Sequence, residues 1–285
     1  MCRFLIYKGP EVLMADLVSR AEQSLIRQSY RAREHQEPLN GDGFGVGWYD
    51  HRVDETPCIF TSTSPAWSNR NLLRLASKVR SPCLFAHVRA ATPGQAVSEF
   101  NCHPFQHQQY MWMHNGSIGE FAKIRRRLRE SLSDEAYDLV QGTTDSEHAF
   151  ALFLDIIASR SGEDGVADLS AAMIETINRL NAWTLAAGIG ATSRYNFAVT
   201  DGHSVVATRF VSPSEQRPHS LYFATGAAFE NIDGAYHVRS SGHGRNAAII
   251  ASEPLTDDRS EWTAVPENHL IAISPDTGVR TLPIH

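Results

Sequence analysis

Hydrophobic and polar positions divide the chain into strand-like and helix-like stretches. From residue 2 to about residue 117, short apolar runs are separated by polar, glycine-bearing segments, which predicts strands. Strands are expected at residues 2–7, 44–49, 58–61, 83–89 and 110–114, the last ending at the turn dipeptide Asn115-Gly116. Looser helical spacing predicts helices over residues 12–26, 71–78 and 118–128, and polar residues 31–40 read as a surface loop. A stronger helical signal follows. Thr144-Asp145-Ser146-Glu147 has the form of a capping box, with Ala149, Phe150, Phe153, Leu154 and Ile157 at helical spacing behind it. Val166, Leu169, Met173, Ile177, Leu180 and Trp183 mark a second amphipathic helix. After Gly188 short strands return, at 196–200, 205–210, 221–224, 248–251 and 270–273. Strands, a helical pair and strands again predict α+β layers, not alternating βαβ units. No linker-like tract interrupts them, so one domain over residues 1–285 is the simplest account.

Composition narrows the class. Hydrophobic residues make up 42% of the 285, enough for an ordinary globular core. The 26 basic and 32 acidic residues give a net charge of −6, which argues against a general nucleic-acid binder. The basic run at 123–129, with Arg125, Arg126 and Arg127, is read as a solvated helix face, an anionic partner surface being the weaker reading. The run Phe4-Leu5-Ile6-Tyr7 is too short for a signal peptide, and no stretch reaches membrane-span length. A cytoplasmic protein with no membrane partner is expected. Cys2, Cys58, Cys83 and Cys102 form no C-x-x-C pair and are too few for a disulfide framework, which favours reduced thiols.

Candidate chemistry begins with Cys2. Removal of Met1 is expected, and it would place a thiol and a free α-amine on one residue. The amine, with a pKa of roughly 7.7–8, can activate the thiol. Four local features accompany it. His87-Val88-Arg89 ends a strand, with His87 and Arg89 on one face, and an arginine there can fork onto a carboxylate or form a surface ion pair. Asn115-Gly116 is either a plain turn or a pair of N–H donors for an oxyanion. Asp145 is either a helix-start acid or a ligand for an ammonium group. Asn40-Gly41-Asp42-Gly43-Phe44-Gly45-Val46-Gly47 leads into a strand instead of a helix, so a dinucleotide loop fails its context test and close backbone packing fits better. Thirteen histidines prompt a metallohydrolase reading, but neither H-E-x-x-H nor paired C-x-x-C is present.

Taken in order, Cys2, Asp42-Gly43-Phe44-Gly45, His87-Val88-Arg89-Ala90-Ala91-Thr92, Asn101-Cys102-His103-Pro104-Phe105, His114-Asn115-Gly116 and Thr144-Asp145-Ser146-Glu147 resemble the class II glutamine amidotransferases. Ala251-Ser252-Glu253-Pro254-Leu255 and residues 265–270 are similar to stand-alone bacterial members without a synthase domain. The resemblance implies a four-layer αββα N-terminal nucleophile hydrolase sandwich with two antiparallel sheets. It implies attack by Cys2 on the side-chain amide of glutamine, with a thioester intermediate, and no cofactor or metal. Asn115 and Gly116 would stabilise the oxyanion. Arg89 would bind the substrate carboxylate, Asp145 its ammonium group, and Thr92 would line the same pocket. His103 and His114 would be scaffold. Ala90 and Pro93 depart from familiar biosynthetic members, which leaves other γ-glutamyl amides open as substrates, including ergothioneine precursors and glutathione-type molecules. The implied partners are glutamine or another γ-glutamyl small molecule and a separate acceptor or synthase subunit. Retention of Met1 would leave a non-catalytic γ-glutamyl-binding subunit instead.

Overall fold

The first strand, β1 (Arg3–Leu13), is buried on both faces over its first half, which places it between two layers. Phe4 and Ile6 pack with residues of a second sheet, while Leu5 and Tyr7 pack the opposite way against helices. The structure is a computed structural model and describes residues 2–34, 39–91, 96–160, 162, 164–213, 215–239 and 246–285.

The chain continues through β2 (Phe44–Trp48), β3 (Cys58–Ser62), β4 (Arg80–Val88), β5 (Phe105–His107), β6 (Tyr110–Ser117), β7 (Ser193–Thr200), β8 (Val205–Arg209) and β9 (Val211–Ser212). It ends with β10 (Tyr222–Gly226), β11 (Ala228–Ile232), β12 (Ala235–Arg239), β13 (Ala247–Ala251), β14 (Thr263–Ala264), β15 (His269–Ile273) and β16 (Val279–Pro283). The helices are α1 (Leu25–Tyr30), α2 (Arg70–Ala76), α3 (Arg125–Glu130), α4 (Asp134–Asp138), α5 (Asp145–Ala158) and α6 (Gly165–Ala186).

One sheet has the order β14-β10-β13-β1-β4-β2-β3 and the other β16-β15-β8-β7-β6-β5, with β9 on β7. The pairings around β1, β2, β6 and β7 are antiparallel. The seam between the sheets is apolar, filled by Phe4, Ile6, Phe85, Met111, Met113, Ala198 and their neighbours. The outer face of the first sheet packs on α1, α2 and the β11–β12 hairpin through Leu25, Leu72, Phe229 and Val238. The outer face of the second packs on α5 and α6 through Phe150, Phe153, Met173 and Ile177. The result is the expected α-β-β-α layering. Among the described residues no helix is long and apolar enough to cross a membrane.

The elements differ from the sequence reading at several points. Asn115-Gly116 is not a turn: both residues lie within β6, paired with Asn196 and Tyr195 of β7. Residues 12–26 do not form one helix. β1 runs on to Leu13, one wide helical turn spans Asp16–Arg20, and α1 begins only at Leu25, because Val12, Leu17, Val18 and Leu25 all reach the same core without helical continuity. In residues 118–128, Glu120 at φ 45° breaks helical geometry, so α3 starts at Arg125. The capping box forms by half: Thr144 Oγ1 accepts the Glu147 N–H at 3.2 Å, but the Glu147 carboxylate takes the N–H groups of Gln141 and Gly142 instead. The basic run is solvated only in part. Arg126 pairs with Glu130 in solvent, whereas Arg127 lies 5.9 Å over the Trp183 ring and Arg129 5.8 Å over Tyr137.

Candidate active site

Strand alternation builds the site. Phe4 and Ile6 face the seam, so Cys2, two residues earlier, faces it too. Phe85 shares that seam, and so do His87 and Arg89 at the end of β4. The same parity carries Met111 and Met113 to Asn115 on β6, Ala198 to Asn196 on β7, and Ile250 to Ser252 after β13. At this end of the sandwich the apolar core therefore gives way to polar side chains, and Arg89, Asn115, Asn196 and Ser252 are all buried.

Register brings Cys2 and Arg89 together, since Arg3 pairs with Val88 on the neighbouring strands. Cys2 is half-buried, and its Sγ lies 3.6 Å from the Ala90 carbonyl oxygen. Burial pushes its thiol pKa up, opposed by the Ala90 backbone and by the charges of Arg89 and Arg3. A thiol held in this way needs a base beside it to become a nucleophile. The Arg89 backbone bonds to the glycine segment: its N–H donates to Gly43 at 2.8 Å and its carbonyl accepts from Asp42 at 3.1 Å. The Asp42 carboxylate takes the Ala91 N–H at 2.8 Å. Gly45 passes so close to the His103 carbonyl that a Cβ would stand 2.2 Å from it, which explains a glycine here as backbone packing. The Arg89 guanidinium reaches the carbonyls of Asp42 and Ala96, each at 3.4 Å.

Asn115 directs Nδ2 to Ser252 Oγ at 3.4 Å, and its Oδ1 is buried without a partner. Gly116 is pressed against β7, where a Cβ would meet the Arg194 carbonyl oxygen at 1.9 Å. Opposite it, Tyr195 turns both its N–H and its carbonyl to the far side, toward Phe210 and Thr208. Gly116 and Tyr195 are therefore a non-hydrogen-bonded pair, and the Gly116 N–H points away from β7. β5 pairs only with residues 110–112 and does not cover that N–H.

Asp145 stands apart from the seam, in the first turn of α5. It is buried, and its carboxylate accepts the N–H groups of Ile118 at 2.7 Å and Ser146 at 2.9 Å. These bonds tie the helix start to the exit of β6. Thr92 lies outside the described residues.

Three histidines, His87, His103 and His114, are buried near the seam. His114 is held between Ser146 Oγ at 2.8 Å and the Arg194 carbonyl at 2.9 Å. The His87 and His103 rings pack at a tilt of 33°, with centroids 4.3 Å apart. Burial lowers the pKa of all three, that of His87 to about 3, so they are neutral imidazoles near pH 7. Among the described residues one cluster brings metal-ligating atoms together, within 4.8 Å: His51, Glu55 and His203. It lies beyond the far end of β2 from Cys2, and Glu55 Oε2 contacts His51 Nδ1 at 2.8 Å and His203 Nε2 at 3.1 Å. A carboxylate bridging two imidazoles accounts for it. A cavity of about 300 Å³ lined by Cys102, Phe105, Glu147 and Phe150 includes none of Cys2, Arg89, Asn115 or Asp145.

A profile described as glutamine amidotransferases class-II matches residues 13–281. The chain belongs to the class II glutamine amidotransferases. Membership makes this amidotransferase an amide-hydrolysing enzyme. It is 42% identical over 296 residues to the probable glutamine amidotransferase DUG3 of Saccharomyces cerevisiae, covering 97% of this chain and 83% of that protein. It is 27% identical over 275 residues to the gamma-glutamyl-hercynylcysteine sulfoxide hydrolase of Mycobacterium tuberculosis, covering 96% and 93%. Among solved structures, a glutamine aminotransferase class-II domain protein from Silicibacter pomeroyi superposes with a TM-score of 0.67 at 26% identity, covering 99% of each chain. The glutamine phosphoribosylpyrophosphate amidotransferase of Bacillus subtilis has the same fold, with a TM-score of 0.60 at 16% identity over 49% of its chain.

The sequence marked Asn101 and Glu253 only as members of motifs, with no role given to them, and did not mark Arg3. Arg3 and Glu253, each 2% exposed, form an ion pair at 2.9 Å. Arg3 Nη1 also donates to the Cys2 carbonyl at 2.8 Å. Asn101 ties Ala96, beside Arg89, to Thr143, beside the α5 cap. A charged residue inside an apolar strand run was the available signal for Arg3, and the motif that contains Glu253 did not reveal the pairing across 250 positions.

Proposed function

We propose that this amidotransferase hydrolyses a γ-glutamyl amide through Cys2, exposed as the first residue by removal of Met1. The Cys2 α-amine takes the thiol proton, and the sulfur attacks the γ-carbonyl carbon. Asn115 Nδ2 and the Gly116 N–H donate to the oxygen that becomes negative. The protonated amine then passes its proton to the leaving nitrogen, the C–N bond breaks, and a γ-glutamyl thioester remains. The α-amine then takes a proton from water as the water oxygen adds to the thioester carbonyl carbon, the C–S bond breaks, and the amine passes that proton to the sulfur, which restores the thiol.

The observation that carries this reading is the meeting of Cys2 and Arg89 on paired strands at the polar end of the seam. A γ-glutamyl group ends in an α-carboxylate and an α-ammonium. Arg89 is assigned the first. Asp145 is assigned the second, using lone pairs that its two backbone bonds leave over. Thr92 is assigned to the same pocket. Leaving either substrate charge unpaired would cost several kcal/mol.

Glutamine is the substrate favoured by the family. The similarity to a mycobacterial enzyme named for a γ-glutamyl sulfoxide substrate favours a second reading, a larger γ-glutamyl amide. Both present the same γ-glutamyl end. With glutamine, the released ammonia calls for an acceptor, which would be a separate synthase chain. The test is hydrolysis of glutamine and of a γ-glutamyl thiol compound by wild type and Cys2→Ala. Loss of both activities in a variant with native circular dichroism is expected, and full activity in Cys2→Ala would refute the mechanism. The ratio of kcat/KM for the two substrates decides between the readings.

A further inference from the structure

β13 ends at Ala251, and Ser252 then turns its side chain into the polar end of the seam, where it is 1% exposed. Its backbone is fixed on two sides. The Ser252 N–H donates to the Phe4 carbonyl at 3.0 Å, and the Ser252 carbonyl accepts from Ser220 Oγ at 2.9 Å. Its hydroxyl oxygen accepts the Phe4 N–H at 3.0 Å. Ser252 is thus clasped to β1 two residues beyond Cys2, and it faces Asn115 across the sheets.

A side-chain amide has two orientations, related by a half-turn that exchanges oxygen and nitrogen. With Nδ2 toward Ser252, at 3.4 Å, two groups are left poorly matched. Asn115 Oδ1 is buried and bare. The Ser252 hydroxyl accepts from two donors, Phe4 N and Asn115 Nδ2, and no acceptor is found for its proton among the described residues. A bare buried polar atom is destabilising, because it has given up its bond to water and gained none in return. The half-turn satisfies both groups: the hydroxyl proton goes to Oδ1, and Nδ2 moves to the position that has no protein partner. An acceptor that arrives with the substrate fills that position.

We infer that the Ser252 hydroxyl donates to Asn115 Oδ1 and holds the amide with Nδ2 facing the carbonyl oxygen of a substrate bound at Cys2. Ser252 is a positioning residue, and this role rests on the proposed oxyanion role of Asn115. It gives the Ala251-Ser252-Glu253 segment a function in the reaction beyond its part in the fold.

The test is a double-mutant cycle with Ser252→Ala and Asn115→Ala, reading kcat and KM for the γ-glutamyl substrate. Asn115→Ala should lower kcat by about 10²–10³. Ser252→Ala should lower kcat about tenfold, a fraction of the full donor's effect, with KM within about twofold. In the Asn115→Ala background Ser252→Ala should change kcat less than about twofold. An equal drop from Ser252→Ala in both backgrounds, or none in either, overturns the positioning role and leaves the oxyanion assignment intact. An unchanged kcat in Asn115→Ala overturns the oxyanion assignment itself. If the alanine variant does not fold, Ser252→Cys, nearly isosteric and a weaker donor, carries the same cycle with the same criteria.

Discussion

Glu253→Gln removes one charge from a deeply buried ion pair beside Cys2. Glu253 Oε1 lies 2.9 Å from Arg3 Nε, with both side chains 2% exposed. Its other oxygen accepts the Arg33 N–H at 2.7 Å. Glutamine keeps the shape but presents an NH₂ group at one of these two positions, so one donor faces another. Arg3 then stays buried and loses the carboxylate charge at its Nε. Breaking a buried pair from one side typically costs about 3–5 kcal/mol, and that is the loss expected here. It exceeds what an exposed pair such as Arg126–Glu130 contributes, about 0–1 kcal/mol. Urea unfolding at pH 7.5 should show a lower midpoint with an unchanged slope. The double variant Arg3→Met/Glu253→Leu should recover much of the loss, because both charges of the pair are removed together. kcat should also fall in Glu253→Gln, since Arg3 anchors the Cys2 carbonyl. A Glu253→Gln variant within about 1 kcal/mol of wild type would refute the reasoning.

Gly116→Ala should cost about 3 kcal/mol or more and abolish activity, because its Cβ would press on the Arg194 backbone; an unchanged melting temperature would show that β6 and β7 can separate freely. Thr144→Ala should destabilise by about 1 kcal/mol through loss of the α5 cap, measurable by the same urea titration; no loss would mean the cap contributes nothing. Acid should destabilise the fold through buried imidazoles. Burial holds His87 at about 3 and His148 at about 4, below the ordinary 6.5, so the unfolded chain binds more protons in between. Their contribution is fully present above about pH 6.5 and is lost as pH falls toward 3–4, at up to about 1.4 kcal/mol per unit for each. Urea midpoints at pH 7 and pH 5 should therefore differ clearly, and equal midpoints would mean that these rings are solvated.

The layered fold was legible where burial writes a periodic pattern. α5 and α6 carry long apolar stripes, and strands such as 83–89 and 196–200 are compact apolar runs. The β11–β12 hairpin and β16 escaped because their residues are partly exposed and their sequences mix polar with apolar positions. Asn115-Gly116 misled because the dipeptide's turn preference is local, whereas here glycine serves a close approach between strands. The candidate site residues stood out only as an ordered set of motifs, each with an ordinary structural explanation. The supporting residues Arg3, Asn101, Ser252 and Glu253 act across the sandwich through single contacts, and a one-dimensional pattern does not encode such pairs.

The most direct measurement of the nucleophile is intact-mass spectrometry before and after exposure to a glutamine-mimicking diazoketone. If Cys2 is an N-terminal nucleophile, the untreated protein has lost Met1, and the treated protein carries one label, which peptide mapping places on Cys2. A protein that has lost Met1 and takes its label at Cys58, Cys83 or Cys102, with Cys2 unmodified, would contradict it.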